Sequence, residues 1–383
     1  MAIPDLRRSE VSLGLMTPFD FRPRTRVVFG SGEFARLGEV AREMGGTRCL
    51  VVADAGMLPT GHVKEAVRSL KARRMEVFAF HNFSPNPTAA MVEAGRAFAA
   101  PVRIDLIVSV GGGSAMDCAK GINFLLSNGG RMRDFWGYGK ASKPMLPMIA
   151  VPTTAGTGSE AQSFCIVSDP ETGERMACGD AKAVFRAAIL DPKLTLSQPH
   201  ALAAATGYDA LSHALETLVT TRRTALSECF SRSAWGLLDS GFEQMLEDPQ
   251  DLHARGAMLL GAHFAGLAVE NSMLGAAHAC APPLTAQFGI PHGVAIALVL
   301  RHVVRWNRSA AGARYDELGV KRIEDRLSGI AEAAGLPMTL REAGIGEEAL
   351  PRLAEDAAKQ WTGKFNPRPL DAAGALEIYR WAF

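Results

Sequence analysis

The segment Ile104-Asp-Leu-Ile-Val-Ser-Val110 continues directly into Gly111-Gly-Gly-Ser-Ala-Met-Asp-Cys-Ala-Lys120, and these two segments indicate the fold class most clearly. The first segment has the β-branched apolar composition of a buried strand, and the second opens a helix. Glycines between a strand and a helix N-terminus favour anion binding, because free backbone N–H groups and the helix dipole meet there. The fingerprint G-x-G-x-x-G is incomplete, since Met116 holds the third glycine position. A glycine-rich turn capped by Ser114 is the structural alternative.

Around these two segments, the first half of the chain alternates short apolar runs with helical patterns. Strands are predicted at residues 49–53 and 77–80, and helices at residues 63–72 and 89–100. Strands that alternate with helices in this way form a parallel sheet. We therefore predict an α/β domain with a Rossmann-like parallel sheet over residues 1–192.

After Asp191-Pro192 the β-branched runs nearly vanish, and Ala- and Leu-rich segments with helical spacing replace them. The pattern predicts an all-α domain over residues 193–383, with helices at residues 202–219, 228–246, 254–269 and 372–381.

Composition and charge exclude several classes of protein. Lys and Arg number 41 against 40 Asp and Glu, so the formal net charge of +1 gives no field for nucleic acid or an anionic membrane. Hydrophobic residues make up 48% of the chain, which is typical of a packed protein. No apolar run reaches the roughly 18 residues of a membrane helix, and the N-terminus lacks the features of a secretion signal. The six cysteines form no CxxC pair and are interpreted as reduced, buried thiols, so we expect a cytoplasmic protein.

A second polar loop follows the apolar run of residues 148–152 and reads Thr153-Thr-Ala-Gly-Thr-Gly-Ser-Glu160. Its hydroxyls and glycines would stand at the carboxyl end of a parallel strand, where open α/β sheets bind ligands. A pair of solvated turns is the alternative.

Asp54 lies at the end of the predicted strand of residues 49–53. Its carboxylate either accepts hydrogen bonds from an adenosine ribose, which favours NAD over NADP, or caps the next helix.

Metal-ligating residue types cluster in the helical half. Asp209 and His213 are four residues apart, hence on one helix face, and their neighbours are apolar. His278 and His292 are each embedded in small and apolar residues. Considered alone, Asp209 and His213 could simply form a hydrogen bond on the helix surface. Considered alone, His278 and His292 could each be a core histidine whose ring nitrogens are hydrogen-bonded. Together, three imidazoles and one carboxylate could hold a divalent transition metal with a position open for substrate.

Four stretches carry a family resemblance: Ser84-Pro-Asn-Pro-Thr88, Gly111-Gly-Gly-Ser with Asp117-x-x-Lys120, Pro152 to Glu160, and Ala205-Thr-Gly-x-Asp-Ala-Leu-x-His-Ala-x-Glu216. In this combination and order the chain resembles the iron-containing, group III alcohol dehydrogenases over nearly its whole length. The resemblance implies the dehydroquinate synthase-like fold, an α/β domain followed by a helical domain.

The resemblance also implies a function. The chain would transfer a hydride between NAD(H), favoured over NADP(H), and a small alcohol/aldehyde pair, as a homodimer with Fe²⁺ or alternatively Zn²⁺ as Lewis acid. The implied metal ligands, through which catalysis would act, are Asp209, His213, His278 and His292. The implied cofactor-binding residues are Asp54, Asn86, Gly112, Gly113, Ser114, Asp117, Thr153, Thr154, Thr157, Arg175 and Leu194.

Two positions depart from the family pattern. Pro282 stands where the family usually has a second histidine one turn after His278, so a proton-relay role of that histidine does not transfer. Arg175 stands where a cofactor-contacting lysine is frequent, and keeps the charge but not the geometry. Two further hypotheses stay open: a reductase of a specialised oxo-acid or functionalised aldehyde on this fold, and a non-catalytic nucleotide-binding homologue.

Overall fold

The structure, a computed structural model, describes residues 17–383. Within that range the strands are β1 (Arg26–Phe29), β2 (Arg48–Val52), β3 (Glu76–Phe80), β4 (Leu106–Gly111), β5 (Gly137–Tyr138), β6 (Met148–Pro152), β7 (Phe164–Ser168), β8 (Arg175–Gly179) and β9 (Ala187–Leu190). The α-helices are α1 (Leu37–Glu43), α2 (His62–Ala72), α3 (Ala89–Ala99), α4 (Gly113–Asn128), α5 (His200–Val219), α6 (Ala225–Glu247), α7 (Leu252–Glu270), α8 (Ala277–Phe288), α9 (His292–Asp316), α10 (Ile323–Ala333), α11 (Leu350–Ala358) and α12 (Ala372–Ala382).

Six strands form one parallel sheet in the order β1-β9-β6-β4-β2-β3. The central strands β4 and β6 are buried along their whole length, which explains why their sequences are apolar apart from Ser109. From β2 the chain adds β3 on one side and β4 on the other, so the strand order reverses between β2 and β4. Ligands of open α/β sheets bind at such a switch point, beyond the carboxyl ends of the strands.

A second, three-stranded sheet has the order β5-β8-β7, with β7 and β8 antiparallel. Within it the rings of Tyr138 in β5 and Phe164 in β7 lie 5.2 Å apart. The sequence patterns above did not predict this sheet.

The chain contains two compact units, and each has its own core. The sheet unit comprises residues 23–210 and 237–266, and its core includes Val51, Leu106 and Ile149. The helical unit comprises residues 211–236 and 267–383 with the described part of residues 1–22. Within it α9 packs on α8 and α10, and α12 packs on α11. The division at residue 192 that the sequence indicates stays a prediction.

The predicted fold class is confirmed, with a parallel sheet in the first half and helices in the second. The four helices predicted after residue 193 correspond to α5, α6, α7 and α12, each within a few residues. Within residues 17–383, no helix combines the length and apolar character needed to cross a membrane.

Candidate metal and cofactor sites

The glycine turn and the threonine loop, residues 153–160, meet beyond the carboxyl ends of neighbouring strands β4 and β6. The N–H of Thr153 donates to the carbonyl of Gly111 at 3.0 Å. A Cβ added to Gly112 would lie 3.0 Å from Oγ1 of Thr154, and one added to Gly113 would lie 2.8 Å from the Thr157 side chain. A side chain at either position would press on these threonine side chains, so both glycines suit the close contact between the turn and the loop.

Helix α4 begins at Gly113 with Gly112 as its N-cap residue, and no side chain caps it. Ser114 therefore does not act as the cap that the structural alternative proposed. Its hydroxyl instead accepts a hydrogen bond from the N–H of Asn86 at 3.0 Å, and Asn86 has a left-handed φ of 57°. The cap-free N-terminus keeps its first N–H groups directed at the space beyond the glycine turn.

Asp54 lies two residues after the end of β2, at the switch point of the sheet. Its Oδ1 accepts from the N–H of Gly56 at 3.0 Å and caps the short helix Ala55–Thr60, so the capping interpretation is correct. Its second oxygen, Oδ2, is 3.6 Å from the position of a Cβ on Gly111. One carboxylate oxygen thus caps the short helix Ala55–Thr60, and the other lies beside the glycine turn at Gly111.

Asp117, on the first turns of α4, belongs to a buried polar network. Its Oδ1 accepts from the hydroxyl of Ser159 at 3.2 Å, while Nζ of Lys120 donates to the carbonyl of Ser159 at 2.8 Å and to that of Phe164 at 2.6 Å. Burial raises the pKa of the Asp117 carboxyl to about 6, although Lys120 and further hydrogen bonds lower it. The network fixes the threonine loop to helix α4.

The last two cofactor candidates differ in exposure. Part of Arg175, the first residue of β8, reaches solvent. Desolvation nevertheless lowers the pKa of its guanidinium, while Asp117 and Asp209 act in the opposite direction. Leu194 follows β9 in the short helix Pro192–Ser197, and it is buried in the core of the sheet unit.

Helix α5 carries Asp209 and His213 on one face, as their spacing predicts, and both side chains are buried. Ligand atoms of Asp209, His278 and His292 all lie within 4.8 Å of one another. Nε2 of His213 is 3.2 Å from Nε2 of His278. The structure therefore brings Asp209, His278 and His292 into one group and places His213 in contact with His278.

The donor set fits a divalent transition metal. Two metal–nitrogen bonds of about 2.1 Å in a tetrahedral site place the nitrogens about 3.4 Å apart, close to the spacing of the His213 and His278 rings. Asp209 is only 4% exposed, and a carboxylate at such depth is stable only when cations or donors surround it. Three imidazoles with one carboxylate suit iron or zinc, and leave room for a further ligand.

Glu216, one turn beyond His213 on α5, contacts the same group. Its Oε2 lies 2.5 Å from Nδ1 of His278, and its Oε1 accepts from the N–H of Ala277 at 2.7 Å. In the sequence, Glu216 is marked only as the last residue of the motif that begins at Ala205. Its spacing of seven residues from Asp209, in an apolar setting, was the signal that could have found it.

Pro282 lies inside α8, followed by Pro283. A proline there donates no hydrogen bond to the carbonyl one turn earlier and offers no titratable group. The relay role attached to a histidine at this position is thus absent from the side chain that replaces it.

A parallel sheet with polar loops beyond its central strands, together with a histidine-rich metal group, defines a dinucleotide-linked, metal-dependent oxidoreductase. The family model described as iron-containing alcohol dehydrogenase matches residues 23–192, and that of the family's C-terminal part matches residues 203–383. The chain belongs to the iron-containing alcohol dehydrogenase family. The predicted family and enzyme class are confirmed.

Similar proteins agree over nearly the whole chain. The NAD-dependent methanol dehydrogenase of Bacillus methanolicus is 31% identical, covering 95% of this chain and 99% of that protein. The 1,3-propanediol dehydrogenase of Klebsiella pneumoniae is also 31% identical, with the same coverage. The crystal structure of a 1,3-propanediol oxidoreductase superposes with a TM-score of 0.92 at 32% identity, covering 96% of this chain and all of that one.

A structure with bound cofactor is also similar. The sulfoacetaldehyde reductase from Bifidobacterium kashiwanohense in complex with NAD⁺ has a TM-score of 0.88 at 27% identity, with coverages of 96% and 99%. These matches confirm the predicted pairing of iron with NAD(H) at the level of the family.

Proposed function

We propose that this enzyme interconverts a short alcohol and its aldehyde, with NAD(H) as hydride carrier and Fe²⁺, or Zn²⁺ in its place, as Lewis acid. The observation that carries the proposal is the convergence of Asp209, His278 and His292 within 4.8 Å, with His213 against His278. Relatives of about 31% identity are named for methanol and 1,3-propanediol, which supports a short alcohol as substrate.

The proposed ligands have a defined chemical task. A bound divalent metal supplies Lewis acidity, which favours the alkoxide form of an alcohol or polarises an aldehyde carbonyl. Neutral histidines leave most of the metal's charge uncompensated, and Asp209 offsets one unit of it. The ligand set thus keeps a net positive site that suits an oxyanion. Burial of Asp209 and His213 excludes water from the ligand side of the site.

The cofactor would be held by the loops of the sheet unit. The N–H groups at the start of α4 suit the pyrophosphate, and the hydroxyls of Thr153, Thr154 and Thr157 supply further donors. Asp54, beside the glycine turn, would accept from the adenosine ribose and disfavour a 2′-phosphate. The remaining proposed contacts are Asn86, Gly112, Gly113, Ser114, Asp117, Arg175 and Leu194.

The metal assignment is tested with His278→Ala. We expect loss of both bound metal and turnover in anaerobically purified protein, because one imidazole of the set is removed. Metal content is measured by mass spectrometry and turnover by NADH oxidation with short aldehydes. His253→Ala, at an exposed histidine of α7, is the matched control and keeps both properties. Full activity of the His278 variant without metal would refute the assignment.

The cofactor assignment is tested with Asp54→Asn. Asparagine remains a good helix cap, so the contact with Gly56 survives while the charge is lost. We expect the wild type to prefer NADH, and the variant to use NADPH at least tenfold better relative to NADH. The ratio of kcat/KM for the two cofactors is the measurement. A wild-type preference for NADPH would contradict the role of Asp54.

The proposal includes a cytoplasmic homodimer. In residues 17–383 the six cysteines are free and five are buried, which supports a reducing compartment. Strand β1 is an edge of the parallel sheet and exposes Val27 and Phe29, which supports self-association through that edge. Sedimentation of the purified enzyme measures the oligomeric state.

A further inference from the structure

We infer that Glu216 is a positioning residue for the metal site, which fixes the tautomer and the orientation of His278 without itself binding the metal. The inference rests on the proposed function, because it assigns a role toward the metal that the histidines would hold. It is carried by contacts within the helical unit alone, between α5 and the start of α8.

The carboxylate of Glu216 makes two directed contacts. One oxygen faces Nδ1 of His278 at 2.5 Å, and the other accepts from the N–H of Ala277 at 2.7 Å. Glu216 is 3% exposed and His278 8%, so water does not compete for either contact. The two oxygens thereby contact the consecutive residues Ala277 and His278. These contacts fix the imidazole of His278 and the backbone before it relative to each other.

The contact determines which ring nitrogen faces the metal group. An ionised carboxylate only accepts hydrogen bonds, so Nδ1 of His278 must be the protonated nitrogen. In a neutral imidazole the lone pair then lies on Nε2, which is the atom 3.2 Å from Nε2 of His213.

A second clamp holds the same turn from the other side. The side chain of Asn366 accepts from the N–H of Ala276 at 3.2 Å, and Asn307 donates to it at 3.1 Å. A Cβ on Gly275 would lie 2.8 Å from Oδ1 of Asn366 and 3.2 Å from Oε1 of Glu216. The glycine therefore lets both acceptors reach the start of α8, and His278 is presented from a fixed backbone.

Helix α5 connects these roles. Asp209, His213 and Glu216 follow the spacing i, i+4, i+7, so one helix face would supply two ligands and the group that orients a third. Removing the Glu216 carboxylate should consequently lower the affinity for the metal more than it lowers the stability of the fold.

The test compares metal affinity in Glu216→Gln, Glu216→Asp and Glu324→Gln. The control Glu324 is a glutamate of the same helical unit that is partly buried, whereas Glu216 is fully buried, and it pairs with Arg308 instead of a histidine. Metal-stripped proteins are titrated with Zn²⁺ in competition with a chromophoric chelator, and with Co²⁺ to read ligand geometry from its visible spectrum. Urea unfolding of the metal-free proteins is measured in parallel.

We expect Glu216→Gln to bind Zn²⁺ about 10 to 100 times more weakly, with an altered Co²⁺ spectrum, and Glu216→Asp to lie between it and the wild type. Glu324→Gln should lose stability yet bind Zn²⁺ as the wild type does. Unchanged affinity in Glu216→Gln would overturn the inference, and so would an equal loss of affinity in Glu324→Gln. A wild type that binds neither metal would instead refute the proposed function.

Discussion

At the scale of single residues, Asp117 is a charge that the fold buries at a cost. Its pKa is raised from 3.8 to about 6, chiefly by burial. Between these two values the folded chain holds a proton that the unfolded chain has lost, so the free energy of unfolding falls as the pH rises from about 4 to 6. The full effect at pH 7 is at most about 3 kcal/mol, and partial solvent access reduces it.

We therefore expect Asp117→Asn to raise the free energy of unfolding of the cofactor-free enzyme at pH 7 by about 1 to 2 kcal/mol. Urea unfolding at pH 4.5 and pH 7 checks this, and the gain should shrink at the lower pH. Asp105→Asn is the control of opposite sign. Although burial raises the pKa of Asp105, hydrogen bonds from Thr47 and Arg48 lower it, so its removal destabilises at neutral pH. A loss of stability in both variants would contradict the account of Asp117.

Individual residues show what a sequence can and cannot predict. The spacing of Asp209 and His213 predicts a shared helix face, because helical geometry is local. That His278 and His292 approach Asp209 depends on tertiary packing: the residue types and their apolar settings suggest a shared metal site, but no local rule shows that these side chains meet. The sequence offers Ser114 as a helix cap, yet its hydroxyl accepts a hydrogen bond from the N–H of Asn86. The two residues are 28 positions apart in the chain, so local sequence patterns cannot predict this contact.

At the scale of elements, helix α7 supports the threonine loop through direct backbone contact. A Cβ on Gly266 would lie 2.5 Å from the carbonyl oxygen of Gly158, and the backbone there cannot yield without moving the loop. A Cβ added to Gly236, in α6, would have no heavy atom within 4 Å. The two helical glycines form a matched pair with opposite expected effects.

We expect Gly266→Ala to lower the free energy of unfolding by about 1 to 3 kcal/mol and to weaken NADH binding, because the threonine loop must shift. Gly236→Ala should raise stability by about 0.5 to 1 kcal/mol, since alanine is the better helix former. Chemical denaturation and NADH fluorescence titration measure the two effects. Wild-type stability in the Gly266 variant would show that the loop adapts freely.

Elements were predictable where a periodic pattern was strong. The parallel sheet follows from buried apolar runs that alternate with helices, and α12 follows from its amphipathic spacing. The sheet of β5, β8 and β7 was missed because β5 is two residues long, too short for any period. Helix α8 was missed because Pro282 and Pro283 are signals of a helix end, which tertiary contacts override here.

At the scale of the whole molecule, charge is balanced overall and concentrated locally. A net charge of +1 leaves no long-range field that would attract a strongly charged macromolecule. Polar loops lie beyond the parallel strands β4 and β6, and one carboxylate and two imidazoles on helices lie within 4.8 Å of one another. Together these features support the proposal that hydride transfer with NAD(H) requires a metal held by Asp209, His213, His278 and His292.

The most direct measurement of that claim is the rate of NADH oxidation with short aldehydes before and after metal removal. A chelator is used to strip the enzyme, which is then reloaded anaerobically with Fe²⁺ alone. The account predicts that the stripped enzyme is inactive and that one Fe²⁺ per chain restores turnover to the untreated rate. Undiminished turnover in the stripped enzyme would contradict it, as would an enzyme that takes up iron and binds NADH without oxidising it.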